Sequence, residues 1–418
     1  MERVRPARLG AIGVFMDLSV SAPDGPPGRV LFVGQAYYNS WYLSRALRDL
    51  GWTADLLNWD DNPDSQMLYH GEDYRLLSGR GNFLRGVADL RAHKAFYKSA
   101  LRDYDIFHFS NAHGMKFSAR LAQHFVDRGD PGAEIRELKS QGKKIVYSNN
   151  GCLDGVSQTS FAKWGESPVC NDCVWKNNPQ VCSDERNLDW GAFRNEMADY
   201  QVLLGGNRAD FNIDPSVHEV PEFYCLDPQF WSPELTIPDR LKIQIPASTV
   251  KIYHAVGNYD LRTDPSSKRN IKSTHIYSPL VDQLKREGRD VELIFCHDVP
   301  NRDVRFFQLQ SDIVVDMLTY GFYGANVREA MMLGKPVVCY LRPEWLEQMR
   351  DEIPDYVDEL PVVSATPETI HEVLIGLIDD PERRQELGRL GRQFALKWHS
   401  AAAGAERFDR IYRELLAQ

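Results

Sequence analysis

TYGFYGANVREAMMLGKPVVCYL, residues 319–341, sets a charged Arg328-Glu329 pair in a glycine-punctuated turn between two apolar runs. The run before it, DIVVDML at 312–318, and the run after it, PVVCYL at 336–341, read as short strands buried on both faces. Between them, 325–333 has room for about two and a half helical turns. Gly334 suits the left-handed residue past a helix end, and Pro336 follows just beyond it. The order is therefore strand, glycine loop, helix, strand. Glu329 falls in or near the first turn of that helix, at the carboxyl end of a parallel strand. Open α/β sheets bind ligands at such places.

Two series of the same pattern run outward from this segment. The first has strand-like stretches at 29–34, 53–59, 104–111, 143–150 and 200–205, with helical stretches such as 40–50 and 83–101 between them. The second has strands at 250–256, 291–297, 313–318, 337–341 and 360–363, with helices near 274–286, 325–333, 343–350 and 367–378. Apolar strands alternating with amphipathic helices predict parallel sheets covered on both faces. The expected fold is α/β, with two doubly wound Rossmann-like domains. Residues 1–28 form an extension, 29–235 the first domain with a cysteine-rich insertion at 152–182, 248–395 the second, and 396–418 a helical tail. The break falls in SPELTIPDRLKIQIPAST, where periodicity is lost and three prolines occur. The tail carries Phe408, Ile411, Tyr412, Leu415 and Leu416 on one stripe.

A chain of 418 residues exceeds one ordinary core, which supports two domains. With 49 Lys plus Arg against 59 Asp plus Glu, the net charge is −10, which argues against nucleic acid as a partner. No apolar run approaches the ~20 residues of a membrane span. The opening MERVRPARLGAIGVFMDLSV has the early arginines of a secretory signal, but Asp17 interrupts its apolar run and no small-residue cleavage site follows. Seven clustered cysteines, an odd number, fit a reducing compartment. A cytoplasmic protein is expected.

The loop at 319–329 has suggestive chemistry. A carboxylate such as Glu329 accepts two hydrogen bonds at once, which matches the paired hydroxyls of a ribose. Free N–H groups where the helix starts, around Tyr323, Gly324, Ala325 and Asn326, suit a diphosphate. A glycine-rich packing turn is the plainer alternative.

GFYGANVREAMMLGKPVV resembles the donor signature of the family 4 glycosyltransferases, an E-x7-E inside a G-F-G…EAMA-G-P-V pattern. EVPEFYCLDPQFWSPE (219–234) resembles the segment that ends that family's first domain. The stretch 252–288 resembles the opening of its second domain, and 379–415 its closing helices. The likeness covers nearly all of 29–418 and is strongest over 250–400. It implies the GT-B fold, a nucleoside-diphosphate sugar as donor substrate, UDP rather than GDP, and a glycan, lipid-linked or small-molecule acceptor. It also implies that Glu329 holds the ribose and that Arg269 and Lys272, in SSKRNIKST (266–274), hold the diphosphate. A solvated cluster of loop charges is the alternative for these cations. Two positions depart from the family. The first Glu of E-x7-E falls on Gly321, a position that touches the donor sugar. The His-Gly that ends a first-domain strand reads Asn149-Asn150-Gly151 here, and Asn150 can hydrogen-bond a sugar but cannot become cationic.

The family retains anomeric configuration, with a phosphate oxygen taking the acceptor proton. That scheme needs neither a dedicated base nor a catalytic metal, and its demand is for fixed cations at the leaving diphosphate. Catalytic candidates are Arg269, Lys272, Asn150 and His113. His108 and His113, in FHFSNAHG, follow a first-domain strand and could line the cleft, although an ordinary structural histidine is the commoner case. Two other hypotheses remain: a nucleotide-sugar epimerase, and a degenerate GT-B subunit that binds a partner transferase.

Cys152 lies in NNGCLDG, and Cys170, Cys173 and Cys182 lie in PVCNDCVWKNNPQVC. A C-x-x-C pair with two further cysteines can make a four-thiolate structural zinc site. Reduced thiols and an iron–sulfur cluster are the competing readings. Cys225, Cys296 and Cys339 read as core residues. Finally, 79–104 mixes apolar residues with Arg85, Arg91, Lys94, Lys98 and Arg102. It could lie against anionic lipid at the inner face of a membrane, or be a solvated helix with its apolar side in the core. Oligomeric state is not legible.

Overall fold

A computed structural model of the chain describes residues 27–35, 37–58, 68–76, 83–110, 114–115, 132–148, 151–152, 154–163, 169–203 and 208–418. Two parallel sheets organise it. The first contains β1 (Arg29–Val33), β2 (Thr53–Asn58), β3 (Tyr74–Arg75), β4 (Ile106–Ser110), β5 (Lys144–Ser148), β6 (Tyr200–Leu203) and β7 (Val217–Glu219), in the order β3-β2-β1-β4-β5-β6-β7. The second contains β8 (Val250–Val256), β9 (Val291–His297), β10 (Ile313–Val315), β11 (Val337–Cys339) and β12 (Val363–Ser364), in the order β12-β11-β10-β8-β9. Every described pairing is parallel. This is the GT-B arrangement of two Rossmann-like units.

Successive strand residues point to opposite faces, so each sheet buries two apolar layers. In the first sheet Leu31, Phe107, Phe109, Ile145 and Tyr147 join one cluster. Val30, Phe32, Ile106, Val146 and Val202 join another. That second cluster continues through Trp231 into Tyr253, Val314, Val337 and Cys339 of the second sheet, so the two domains share contiguous apolar packing.

The described helices of the first domain are α1 (Asn39–Asp49), α2 (Phe83–Asp103), α3 (Ala133–Ser140), α4 (Gln158–Ala162) and α5 (Asp184–Met197). Those that follow are α6 (Tyr259–Arg262), α7 (Thr274–Arg286), α8 (Asn301–Leu309), α9 (Ala325–Met332), α10 (Pro343–Glu352), α11 (Pro354–Asp358), α12 (Ile370–Asp379), α13 (Pro381–His399) and α14 (Ala401–Ala417). The chain between β7 and β8, which includes 232–248, contains no strand. Four of the five stripe residues are buried: Phe408, Ile411, Tyr412 and Leu415 are at most 4% exposed, whereas Leu416 is 39% exposed. α14 packs against α1 of the first domain. Trp52 there donates to Asp409 at 2.7 Å, and Tyr412 lies 2.7 Å from His108.

Several expectations are corrected. β3 and β7 were not anticipated, being two and three residues long. β10 stops at Val315, because Asp316 and the residues after it turn away to build the loop above the sheet. In α2, Phe96, Tyr97 and Leu101 pack on the first-domain core. Arg91, Lys94, Lys98 and Arg102 face outward. These described apolar side chains thus lie on the core, as in a solvated helix, while those of Phe83, Leu84, Val87 and Leu90 lie outside the described residues. No described helix is long and apolar enough to cross a membrane.

Candidate functional site

In both sheets the strand order reverses direction at a switch point, between β1 and β4 in the first and between β8 and β10 in the second. A crevice opens beyond the carboxyl ends of strands at such points. A cavity of about 560 Å³ lies there, walled by both domains. Tyr37 and Asn39 after β1, Gly257 and Asn258 after β8, Asp298 and Val299 after β9, and the loop after β10 all face it. Tyr37, Asn258 and Asp298 hold φ of 57°, 54° and 56°. Left-handed backbone at non-glycine residues is strained, and such strain gathers at ligand sites.

The loop and helix quoted at the outset form the cavity's second-domain wall. Gly324 is the N-cap of α9 and is extended, with φ −92° and ψ −169°. The first N–H groups of α9 have no partner within the helix. Tyr323, Gly324, Ala325 and Asn326 all line the cavity. The Tyr323 ring is buried, and its hydroxyl meets Tyr356 and His399. Asn326 donates to the Ala255 carbonyl at 3.3 Å, which ties α9 to β8.

Glu329 faces the same cavity and is fully buried. Its Oε1 accepts from the Tyr38 hydroxyl at 2.7 Å and from Asn301 Nδ2 at 2.9 Å; its Oε2 accepts from Gln308 at 3.4 Å. Burial pushes its pKa up, while the bonds from Asn301 and Tyr38 pull the other way. Tyr38 comes from the first domain, so this carboxylate joins the two domains. The network continues. His70 Nε2 lies 2.8 Å from Asn301 Oδ1, and Tyr42 lies 2.5 Å from His70 Nδ1. Because Asn301 Nδ2 donates to Glu329, its Oδ1 must accept from Nε2–H of His70, and Tyr42 then donates to Nδ1. Burial, reinforced by Arg302, lowers His70 to about 4, so the ring is neutral at pH 7.

Lys272 lines the cavity, with its Nζ 2.7 Å from Oδ1 of the buried Asp316. A Cβ on Gly324 would sit 3.1 Å from both this Nζ and Asp316 Oδ2, so glycine there lets the pair lie beneath the start of α9. Ser273, the N-cap of α7, has φ 64°. That is why glycine is the natural residue after this lysine. Arg269 is placed elsewhere. It pairs with Asp172 of the cysteine-rich segment through Nε at 2.7 Å and through Nη2, and it is not among the cavity's lining residues. Asp172 also accepts from Thr319 at 3.1 Å.

Gly321 does not line the cavity. Its φ is +87°, and a Cβ there would lie 2.8 Å from Cβ of Arg342. The backbone at this position suits glycine and would be strained by the glutamate of the E-x7-E pattern. Asn150 and His113 lie outside the described residues. His108 is core: it is fully buried, bonded to Tyr412, and lowered to about 3 by burial alone.

Cys152, Cys170, Cys173 and Cys182 all line the first-domain side of the cavity, and all are free thiols. Burial raises each of them, Cys170 to about 11, and neighbouring thiols add to the rise at Cys152, Cys170 and Cys182. Among the described residues no group of three or more His, Cys, Asp or Glu side chains is placed to hold a metal ion. The zinc expectation is therefore not supported. Cys170 instead packs with Val156, Phe161 and Val169 as part of an apolar cluster.

Sequence reasoning missed Tyr38, Asn301 and Asp316, and left Arg328 without a role. Tyr38 and Asn301 meet Glu329 from 291 and 28 residues away, which no local pattern announces.

No protein-family model matches the chain, and no curated protein sequence matches it either. Solved structures do resemble it over nearly its whole length. A sucrose-phosphate synthase from Thermosynechococcus elongatus matches with 14% identity and a TM-score of 0.56, covering 93% of this chain and 99% of the other. Anabaena HepE in complex with UDP and glucose matches with 13% identity and a TM-score of 0.54, covering 92% and 99%. The catalytic domain of starch synthase IV from Arabidopsis thaliana, bound to ADP and acarbose, matches with 11% identity and a TM-score of 0.51, covering 94% and 100%. At such identities the likeness is one of fold.

Proposed function

We propose that the protein is a retaining glycosyltransferase of the family 4 type. It takes a sugar from a nucleoside-diphosphate donor, UDP rather than GDP, and passes it to a glycan, lipid-linked or small-molecule acceptor in the interdomain cleft. One observation carries this: a buried carboxylate, the open N-terminus of α9 and a lysine share one cavity at a sheet switch point. Glu329 would take the ribose hydroxyls. The α9 N–H groups and Lys272 would take the diphosphate and stabilise the charge that grows on it as the sugar leaves. The acceptor would enter from the first-domain side, past Gly151, Cys152 and Trp175. The fold shared with HepE, solved with UDP and glucose, supports this assignment.

The test is calorimetric titration with UDP, GDP, ADP and TDP, wild type beside Glu329→Ala. Micromolar binding of one nucleotide is expected. The substitution should weaken it by ~1.5–3 kcal/mol, the scale of hydrogen bonds to a charged group. Unchanged affinity in Glu329→Ala removes the ribose assignment. If no nucleotide binds the wild type, the partner-binding subunit becomes the better reading.

A further inference from the structure

We propose that Arg328 is an anion-binding residue of this cavity, receiving phosphate oxygens of the ligand and forming with Lys272 the cation pair that Arg269 does not supply. As a statement about the diphosphate it rests on the nucleotide-sugar reading; as a statement about a phosphate group it does not.

Arg328 lines the cavity and is only 4% exposed. Its guanidinium lies over the Tyr224 ring, 3.4 Å from the centroid, and its Nη1 donates to the Tyr323 carbonyl at 3.4 Å. No described carboxylate lies within ion-pair distance of it. By contrast, Arg269 pairs with Asp172, Lys272 with Asp316, and Arg208 with Glu352. The buried groups that respond to its charge are Tyr38, Tyr224, Tyr323, Tyr356 and His399, together with its chain neighbour Glu329. Burial holds those tyrosines and His399 neutral. Glu329 already gives Oε1 to Tyr38 and Asn301.

A buried cation without an anion is costly, and an aromatic face offsets only part of that cost. The group that would complete the pairing has to arrive through the cavity. Arg328 is the fourth residue of α9, and helical side chains lean back toward the N-terminus. Its charge is therefore directed to the end where the unpaired N–H groups and Lys272 lie. A guanidinium fork matches two phosphate oxygens at once, which a lysine cannot do.

Two sources could bring the phosphate: the donor's diphosphate, or a phosphate on the acceptor. Inorganic pyrophosphate, inorganic phosphate, UDP and uridine would be titrated into wild type, Arg328→Gln, Arg328→Lys and Arg269→Gln. Thermal unfolding would be recorded for each, with Arg328→Lys as the variant that keeps the charge should Arg328→Gln not fold. Arg328→Gln should weaken pyrophosphate and UDP by about tenfold or more, the scale of a lost charge-assisted pair. Arg328→Lys should fall between, and Arg269→Gln should match wild type. Uridine should be unaffected by any of them. Loss of inorganic phosphate with UDP unchanged assigns the residue to a phosphorylated acceptor. Pyrophosphate binding that depends on Arg328 while no UDP binds keeps the anion site and removes the nucleotide reading. The proposal is overturned if wild type binds none of the phosphates, or if both Arg328 variants bind them like wild type.

Discussion

At the scale of single residues, Glu329 and Tyr38 are in competition with the ligand proposed for them. The carboxylate is satisfied from within, and its strongest donor is a first-domain hydroxyl. A ribose would have to replace that bond. Tyr38→Phe should therefore have two opposite effects. Nucleotide affinity should rise several-fold, on the order of the ~1 kcal/mol net value of a hydrogen bond, because Oε1 is left short of a donor until ligand supplies one. The urea midpoint should fall for the same reason. Weaker nucleotide binding in a folded variant would show instead that Tyr38 positions Glu329 for its ligand. The Arg328-Glu329 pair itself was plain in the sequence. That the arginine stacks on Tyr224 rather than pairing with an acid was not, since Tyr224 lies about a hundred positions upstream.

At the scale of elements, the strand–loop–helix unit β10 to α9 was legible almost entirely. Alternating apolar runs fix strands and helix, and Gly334, at φ +72°, ends the helix where its neighbours predict. The loop's inner geometry was not legible. Gly321 reads as a missing glutamate in sequence, but it is a left-handed residue pressed on Arg342. Writing the carboxylate back, as Gly321→Glu, should cost ~1–3 kcal/mol of stability from backbone strain alone, with the clash added. Chemical denaturation of Gly321→Ala and Gly321→Glu beside wild type checks this. A variant as stable as wild type would mean that the loop can relax. The cysteine-rich segment gives the complementary case. Its spacing suggested metal, whereas its packing uses a thiol as an apolar side chain and its Asp172 as the anchor for Arg269.

At the scale of the whole molecule, the domains are joined by polar contacts as well as by shared apolar packing. Arg208 holds Glu352 at 2.8 Å, Arg302 donates to the His70 carbonyl, and the chain from Tyr42 through His70 and Asn301 ends on Glu329. His70 makes this junction sensitive to acid. Folded, it resists protonation down to about 4, whereas the unfolded ring takes a proton near 6.5. The unfolded state therefore binds the extra proton between those values, and stability is lost as pH falls from about 6.5 toward 4. The His70 contribution is full above that window, and the loss reaches ~3 kcal/mol at most by its lower end. His70→Gln, which keeps a donor and an acceptor, should show a smaller drop in urea midpoint between pH 7 and pH 5 than wild type does. Equal drops would place the acid sensitivity in other groups.

The sequence alone determined what local patterning can determine: parallel α/β units, their approximate limits, and a carboxylate at a helix start beyond a strand end. Those features depend on residues within a few positions of one another, so hydrophobic period and turn chemistry reveal them. The tertiary structure decided which distant groups share that carboxylate's surroundings. It placed Tyr38 and Asn301 on Glu329, diverted Arg269 to Asp172, left Arg328 facing the cavity without an acid, and folded the C-terminal helix back onto the first domain. These pairings follow from how two sheets and their loops meet in space. Chain separation sets no preference among them, and only packing and charge compensation choose.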